Sequence, residues 1–84
     1  MPTDVFELEI IQPTKAERIS VFWIEVESPT GNFLVGADHS PLVSIVKERG
    51  VVTYKMFNGS QVSLDVYGGV FRVAHNKALL ILDS

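Results

Sequence analysis

Cysteine is absent from this 84-residue chain, which removes disulfide staples and thiolate metal sites and fits a reducing compartment. Basic residues are few and scattered. Seven lysines and arginines against ten acids give a net charge of −3, and no cluster offers a grip on phosphate backbones, so nucleic acid is not an expected partner. Four prolines and six glycines are too few for a disordered or low-complexity chain. Long apolar runs are missing as well. Stretches such as Ala78 to Leu82 fall far short of the ~20 residues that cross a bilayer as a helix, so no direct membrane insertion is expected. The opening residues, Met1-Pro2-Thr3-Asp4-Val5-Phe6-Glu7, carry an acid early and lack the basic and apolar regions of a secretory leader.

Hydrophobic residues make up 46% of the chain, enough for one folded domain over residues 1–84. A domain this small buries little more than ~60% of the surface its unfolded chain exposes, so its stability margin is thin. The apolar residues follow the period of a strand. Phe6, Leu8 and Ile10 alternate with Glu7 and Glu9, which puts carboxylates on one face and a core on the other. Ile19 to Glu27 is rich in β-branched and aromatic residues and reads as two strands or one long bent strand. Leu42 to Lys47 alternates poorly and reads as a strand covered on both sides.

Turn residues punctuate these runs at Gln12-Pro13-Thr14-Lys15, Ser28 to Asn32, Gly36 to Pro41 and Glu48-Arg49-Gly50. Asn58-Gly59 between Val51–Phe57 and Gln61–Tyr67 predicts a type I′ hairpin, and a last hairpin crosses His75-Asn76-Lys77. Gly36, Gly50, Asn58, Gly59, Gly68 and Gly69 are the expected structural turns. The sum is an all-β domain, a two-layer β-sandwich of eight to ten short, mainly antiparallel strands.

Constellations that could carry chemistry all have a plainer reading. Asp38-His39-Ser40 has triad residue types, but neighbours in a turn point apart. His39 and His75 have no ligand-spaced third partner, so no metal site is expected. Gly68-Gly69 lacks the Walker spacing and its lysine and reads as a bulge or a close strand crossing. Asn58-Gly59-Ser60 fits a glycosylation acceptor, yet turn chemistry accounts for it. The acid pairs Glu7/Glu9 and Glu25/Glu27 lie on solvent faces, and Trp23 reads as a core residue. No catalytic residue and no cofactor are expected.

The turn-borne motifs are more specific together than singly. Gly36 leads into His39-Ser40-Pro41-Leu42, Gly50 into Val51-Val52-Thr53-Tyr54, Tyr67-Gly68-Gly69-Val70-Phe71 follows, and Asn76-Lys77 opens a final apolar run. In this order and at these distances they resemble the N-terminal β-sandwich of the epsilon subunit of F-type ATP synthases. The resemblance implies a non-catalytic rotor subunit of the central stalk, peripheral on the cytoplasmic face of the inner (plasma) membrane through its complex. Its partners would be the gamma subunit and the polar loops of the c-ring, coupling ion-driven rotation to ATP synthesis. It implies gamma contact through His39, Ser40, Pro41 and Leu42, and ring contact through Gly31, Asn32 and Phe33. Full-length members continue into a C-terminal helical hairpin that inhibits ATP hydrolysis and in some cases binds ATP; with the chain ending at Leu82-Asp83-Ser84, both properties are expected to be absent. A different reading of the same residues is a stand-alone sandwich binding a peptide or carbohydrate at a strand edge, with Trp23 or Tyr67 as an aromatic platform.

Overall fold

Four connections that contain proline or glycine and a fifth made by His75-Asn76 join six strands among the described residues. The computed structural model describes residues 4–83; Met1 to Thr3 and Ser84, which entered the readings of the two termini, lie outside them. In chain order the strands are β1 (Phe6–Gln12), β2 (Lys15–Ser28), β3 (Gly31–Gly36), β4 (Leu42–Met56), β5 (Gln61–Ala74) and β6 (Lys77–Leu82). They form one sheet in the order β1-β6-β5-β4-β2-β3, and a further β1–β2 pairing closes five of them into a barrel with β3 outside the ring. Among the described residues only the β1–β6 pairing is parallel.

The domain is therefore all-β, but the expectation of eight to ten short strands in two layers needs correction. Three strands are 14 or 15 residues long: β4 and β5 stay paired with each other from end to end, and β2 changes partners along its length. The first half of β2 pairs with β1 and the second with β3 and β4. Residues expected to end strands sit inside them. Glu48-Arg49-Gly50 does not turn the chain: β4 runs through it, with a register shift between Glu48 and Gly50. The left-handed residue there is Arg49 (φ 59°), not Gly50. Gly50 is needed for space, because a Cβ on it would come within 3.0 Å of the Lys47 carbonyl oxygen. The Glu27 carboxylate accepts the Val51 N–H at 2.7 Å beside this bulge, a specific role for an acid read as a solvent-face residue. Gly68 and Gly69 likewise lie inside β5, and Gly36 ends β3 without a left-handed backbone, which falls instead on Asp38 (φ 62°).

The type I′ geometry expected at Asn58-Gly59 occurs at the other hairpin. Between β4 and β5 the Met56 carbonyl accepts the Gly59 N–H at 2.9 Å, while the Met56 N–H donates to the Ser60 carbonyl at 2.7 Å. Only Gly59 has positive φ (92°); Asn58 does not, so this is a loop closed by a glycine bulge rather than a type I′ turn. The type I′ turn is His75-Asn76, with φ 52° and 60° at its two residues and Ala74 paired with Lys77 across it.

The core fills the barrel with Phe6, Leu8, Ile10, Val21, Ile24, Val26, Val46, Val52, Tyr54, Val66, Phe71 and Leu80 among others. Each such aliphatic or aromatic side chain contributes about 1.5–3 kcal/mol of transfer free energy. A bulge between Val21 and Trp23 shifts the parity of β2, so Ile24 points inward. Trp23 is half-buried and is not part of this core, contrary to the sequence reading.

Tyr54 is buried, and burial raises its phenol above the ordinary value near 10, with the Glu17 carboxylate adding to the effect. The unfolded chain then releases this proton more readily than the folded one. Stability contributed by the neutral phenol is fully present below pH about 10 and falls as pH rises beyond it. Denaturant midpoints measured from pH 8 to 11 are expected to decline above about 10, and less steeply in Tyr54→Phe.

Candidate functional site

Antiparallel and parallel registers place alternate residues of neighbouring strands side by side on the outer wall. Along one such row Ile45 of β4 lies opposite Val70 of β5, Val70 opposite Ile81 of β6, Ile81 opposite Ile11 of β1, and Ile11 opposite Ala16 of β2. No polar side chain interrupts it. Ile45 is 65% exposed, Val70 42% and Ile81 41%, and Val43, two residues from Ile45 on the same face, is 66% exposed. The next outward row is Val43, Arg72, Leu79, Glu9 and Arg18, with an Arg18–Glu9 ion pair at 3.8 Å. An exposed apolar row whose neighbouring row mixes Val43 and Leu79 with Arg72, Glu9 and Arg18 is the pattern of a protein-docking surface.

This row corrects the reading of Leu42 to Lys47 as covered on both sides. Ser44 and Val46 turn inward while Val43 and Ile45 face solvent. A continuous apolar run in one strand looked like double burial; only the neighbouring strands reveal a single-sided strand with an uncovered face.

The segment before β4 sits at one end of this wall. His39 is half-buried, Ser40 and Pro41 are exposed, and Leu42 packs partly against the core. His39 Nδ1 lies 2.6 Å from the Ser40 carbonyl oxygen; since a carbonyl only accepts, Nδ1 carries the hydrogen. The Asp38 N–H donates to Asn76 Oδ1 at 2.6 Å, and Asn76 Nδ2 donates to Asp38 Oδ1 at 3.0 Å. Asp38, His39 and Ser40 thus point to separate partners rather than forming a relay. With Pro41, His75 and Asn76 they border a shallow groove of about 270 Å³. The sequence marks Asn76 only as a turn residue; its link to Asp38 spans 38 positions and appears only in the fold.

The second expected contact region, Gly31-Asn32-Phe33, opens β3 after the Pro29-Thr30 turn, where Ser28 Oγ donates to the Gly31 carbonyl at 2.6 Å. Gly31 and Asn32 are exposed. Phe33 turns inward, its ring centroid 5.9 Å from that of Phe71 at an interplanar angle of 54°, while Leu34 beside it is 60% exposed. Trp23 and Tyr67 border different grooves and share no aromatic platform. Among the described residues no group of three or more His, Asp or Glu side chains is arranged to hold a metal ion. No helix among them is long and apolar enough to cross a membrane.

The fold and this wall together define a small all-β domain with an uncovered apolar face. Solved structures contain the same fold. One is a chain of the Euglena gracilis mitochondrial ATP synthase, in its OSCP/F1/c-ring assembly, with a TM-score of 0.87 and 16% identity over 100% of this chain and 53% of that one. Another is a chain of the central stalk/c-ring of the Tetrahymena thermophila mitochondrial ATP synthase, with a TM-score of 0.78 and 14% identity over 93% of this chain and 63% of that one. The chain therefore spans about half to two-thirds of the length of these structural relatives. At such identities the likeness is one of fold, and both assemblies are the kind of complex to which the sequence resemblance leads. No family model and no curated protein matches the sequence.

Proposed function

We propose that the domain is a non-catalytic subunit of the rotor of an F-type ATP synthase. It binds the gamma subunit through the apolar wall and the His39–Leu42 segment, and it meets the polar loops of the c-ring through the β3 tip. The observation that carries this reading is the unbroken row Ile45–Val70–Ile81–Ile11 on a domain whose fold recurs in ATP synthase assemblies. A closed barrel suits a mechanical coupling, because a close-packed interior has low compressibility and passes torque without yielding. Membership of the complex makes the domain peripheral to the membrane. Gly31 and Asn32, with Leu34 on the outward face of β3, supply the ring-facing surface, and Phe33 anchors that tip to the barrel.

Ile45→Glu and Val70→Glu test the wall. Both positions are exposed, so melting temperatures are expected to stay within about 2 °C of the parent. Retention of the gamma subunit from the same ATP synthase should fall about tenfold or more for either variant, the effect of removing a central interface anchor. A parent domain that fails to retain gamma, or variants that retain it fully, would sink the proposal.

A further inference from the structure

We propose that Asn76 is a positioning residue for partner binding, holding the 37–41 segment in its docking conformation through a reciprocal amide–carboxylate clamp on Asp38. The inference rests on the gamma-binding reading above. The segment has no strand partner: β3 ends at Gly36, β4 begins at Leu42, and the residues between carry no ladder of their own. Ala37 packs against the core at its start, and beyond that point side-chain hydrogen bonds tie it to the barrel. Asn76 Oδ1 takes the Asp38 main-chain N–H at 2.6 Å and Asn76 Nδ2 gives a hydrogen to Asp38 Oδ1 at 3.0 Å. The Asn76 carbonyl also accepts the Glu7 N–H at 3.2 Å, so one residue joins the segment, the β5–β6 turn and β1.

Both clamp residues sit in the left-handed region, Asp38 at φ 62° and Asn76 at φ 60°. Asparagine and aspartate tolerate this backbone better than other residues with a side chain, and glycine would tolerate it with less strain. Glycine could not make the two bonds, so the backbone alone does not explain these side chains. The clamp fixes the segment directly before His39, whose ring is itself locked onto the Ser40 carbonyl, and the segment runs into Val43 and Ile45 of the apolar wall. Ordering such a loop before encounter removes an entropic cost from binding.

Asn76→Gly deletes the clamp while keeping the turn's backbone. Asn76→Asp sets a carboxylate against the Asp38 carboxylate. The double variant Asp38→Asn with Asn76→Asp restores both bonds with the roles exchanged: the new carboxylate accepts the main-chain N–H, and the new side-chain amide at position 38 donates to it. Hydrogen exchange of the main-chain amide at position 38, thermal melting, and the association rate with the gamma subunit are measured on each. Asn76→Gly is expected to speed exchange at position 38 and slow gamma association about tenfold, Asn76→Asp more, and the double variant to recover both to within about threefold. Faster exchange with unchanged gamma association overturns the positioning role and leaves the functional reading standing. Unchanged exchange in Asn76→Gly, or no recovery in the folded double variant, overturns the clamp itself. A parent domain that does not bind gamma overturns the functional reading on which the role rests.

Discussion

Gly69→Ala is expected to lower the melting temperature by about 12–24 °C, the equivalent of roughly 3 kcal/mol in a domain of this size. A Cβ built on Gly69 would run into the Ile81 carbonyl oxygen and come within 3.1 Å of Leu82 Cα, both main-chain atoms of the paired strand β6. Neither can retreat without breaking the β5–β6 ladder. The backbone adds to the cost, because φ is 148° and a residue with a side chain is strained there by about 1–3 kcal/mol. Against a total stability of about 5–15 kcal/mol, with small domains at the lower end, the variant approaches the threshold of folding. Gly36→Ala is the control: its Cβ meets only the Phe22 carbonyl oxygen, at 4.0 Å, and the change should stay within about 0.5 kcal/mol. Calorimetry on the two variants separates the cases. Equal melting temperatures would mean that β5 does not approach β6 as closely as the fold requires.

Phe71→Ala is expected to cost about 3–5 kcal/mol, the range for truncating a fully enclosed aromatic residue. Phe71 heads the fully buried side chains in size and stands between the Ser44 and Leu80 positions on the two flanking strands. Its tilted contact with Phe33 adds about 0.5–1.5 kcal/mol beyond area burial. That pair also connects core to surface, since Phe33 holds the exposed Gly31-Asn32 tip of β3 against the barrel. Urea titrations of Phe71→Ala, Phe33→Ala and the double variant should therefore show non-additive losses, with a coupling of about 0.5–1.5 kcal/mol. If Phe71→Ala does not fold, Phe71→Leu supplies the milder truncation for the same cycle. Strict additivity would mean that the two rings act independently and that the β3 tip is held by something else.

Local chemistry was readable where a residue's neighbours in the chain decide its state. Phe6, Leu8 and Ile10 were recognisable as one buried face because alternation with Glu7 and Glu9 needs no partner strand to be seen. Val62, Leu64 and Val66 turn inward for the same reason. The strand count was not readable, since Arg49-Gly50 and Gly68-Gly69 have the residue types of turns yet lie within β4 and β5. A glycine reports that room or unusual φ is needed without saying whether the chain reverses there. The candidate site was legible in part: the His39–Leu42 segment was singled out by resemblance, whereas the Val43–Ile45 face was hidden inside an apparently buried run.

Composition and alternation by themselves determined that the chain is all-β, that it is acidic and free of cysteine, and that Phe6, Leu8 and Ile10 face a core. Those properties depend on side-chain chemistry and on the two-residue period of a strand. The tertiary structure alone decided barrel closure, the parity shift that turns Trp23 out of the core, the row from Ile45 to Ile11, and the Asp38–Asn76 clamp. Each depends on which strands become neighbours and in what register. That choice is made by packing among residues tens of positions apart, which no local pattern encodes.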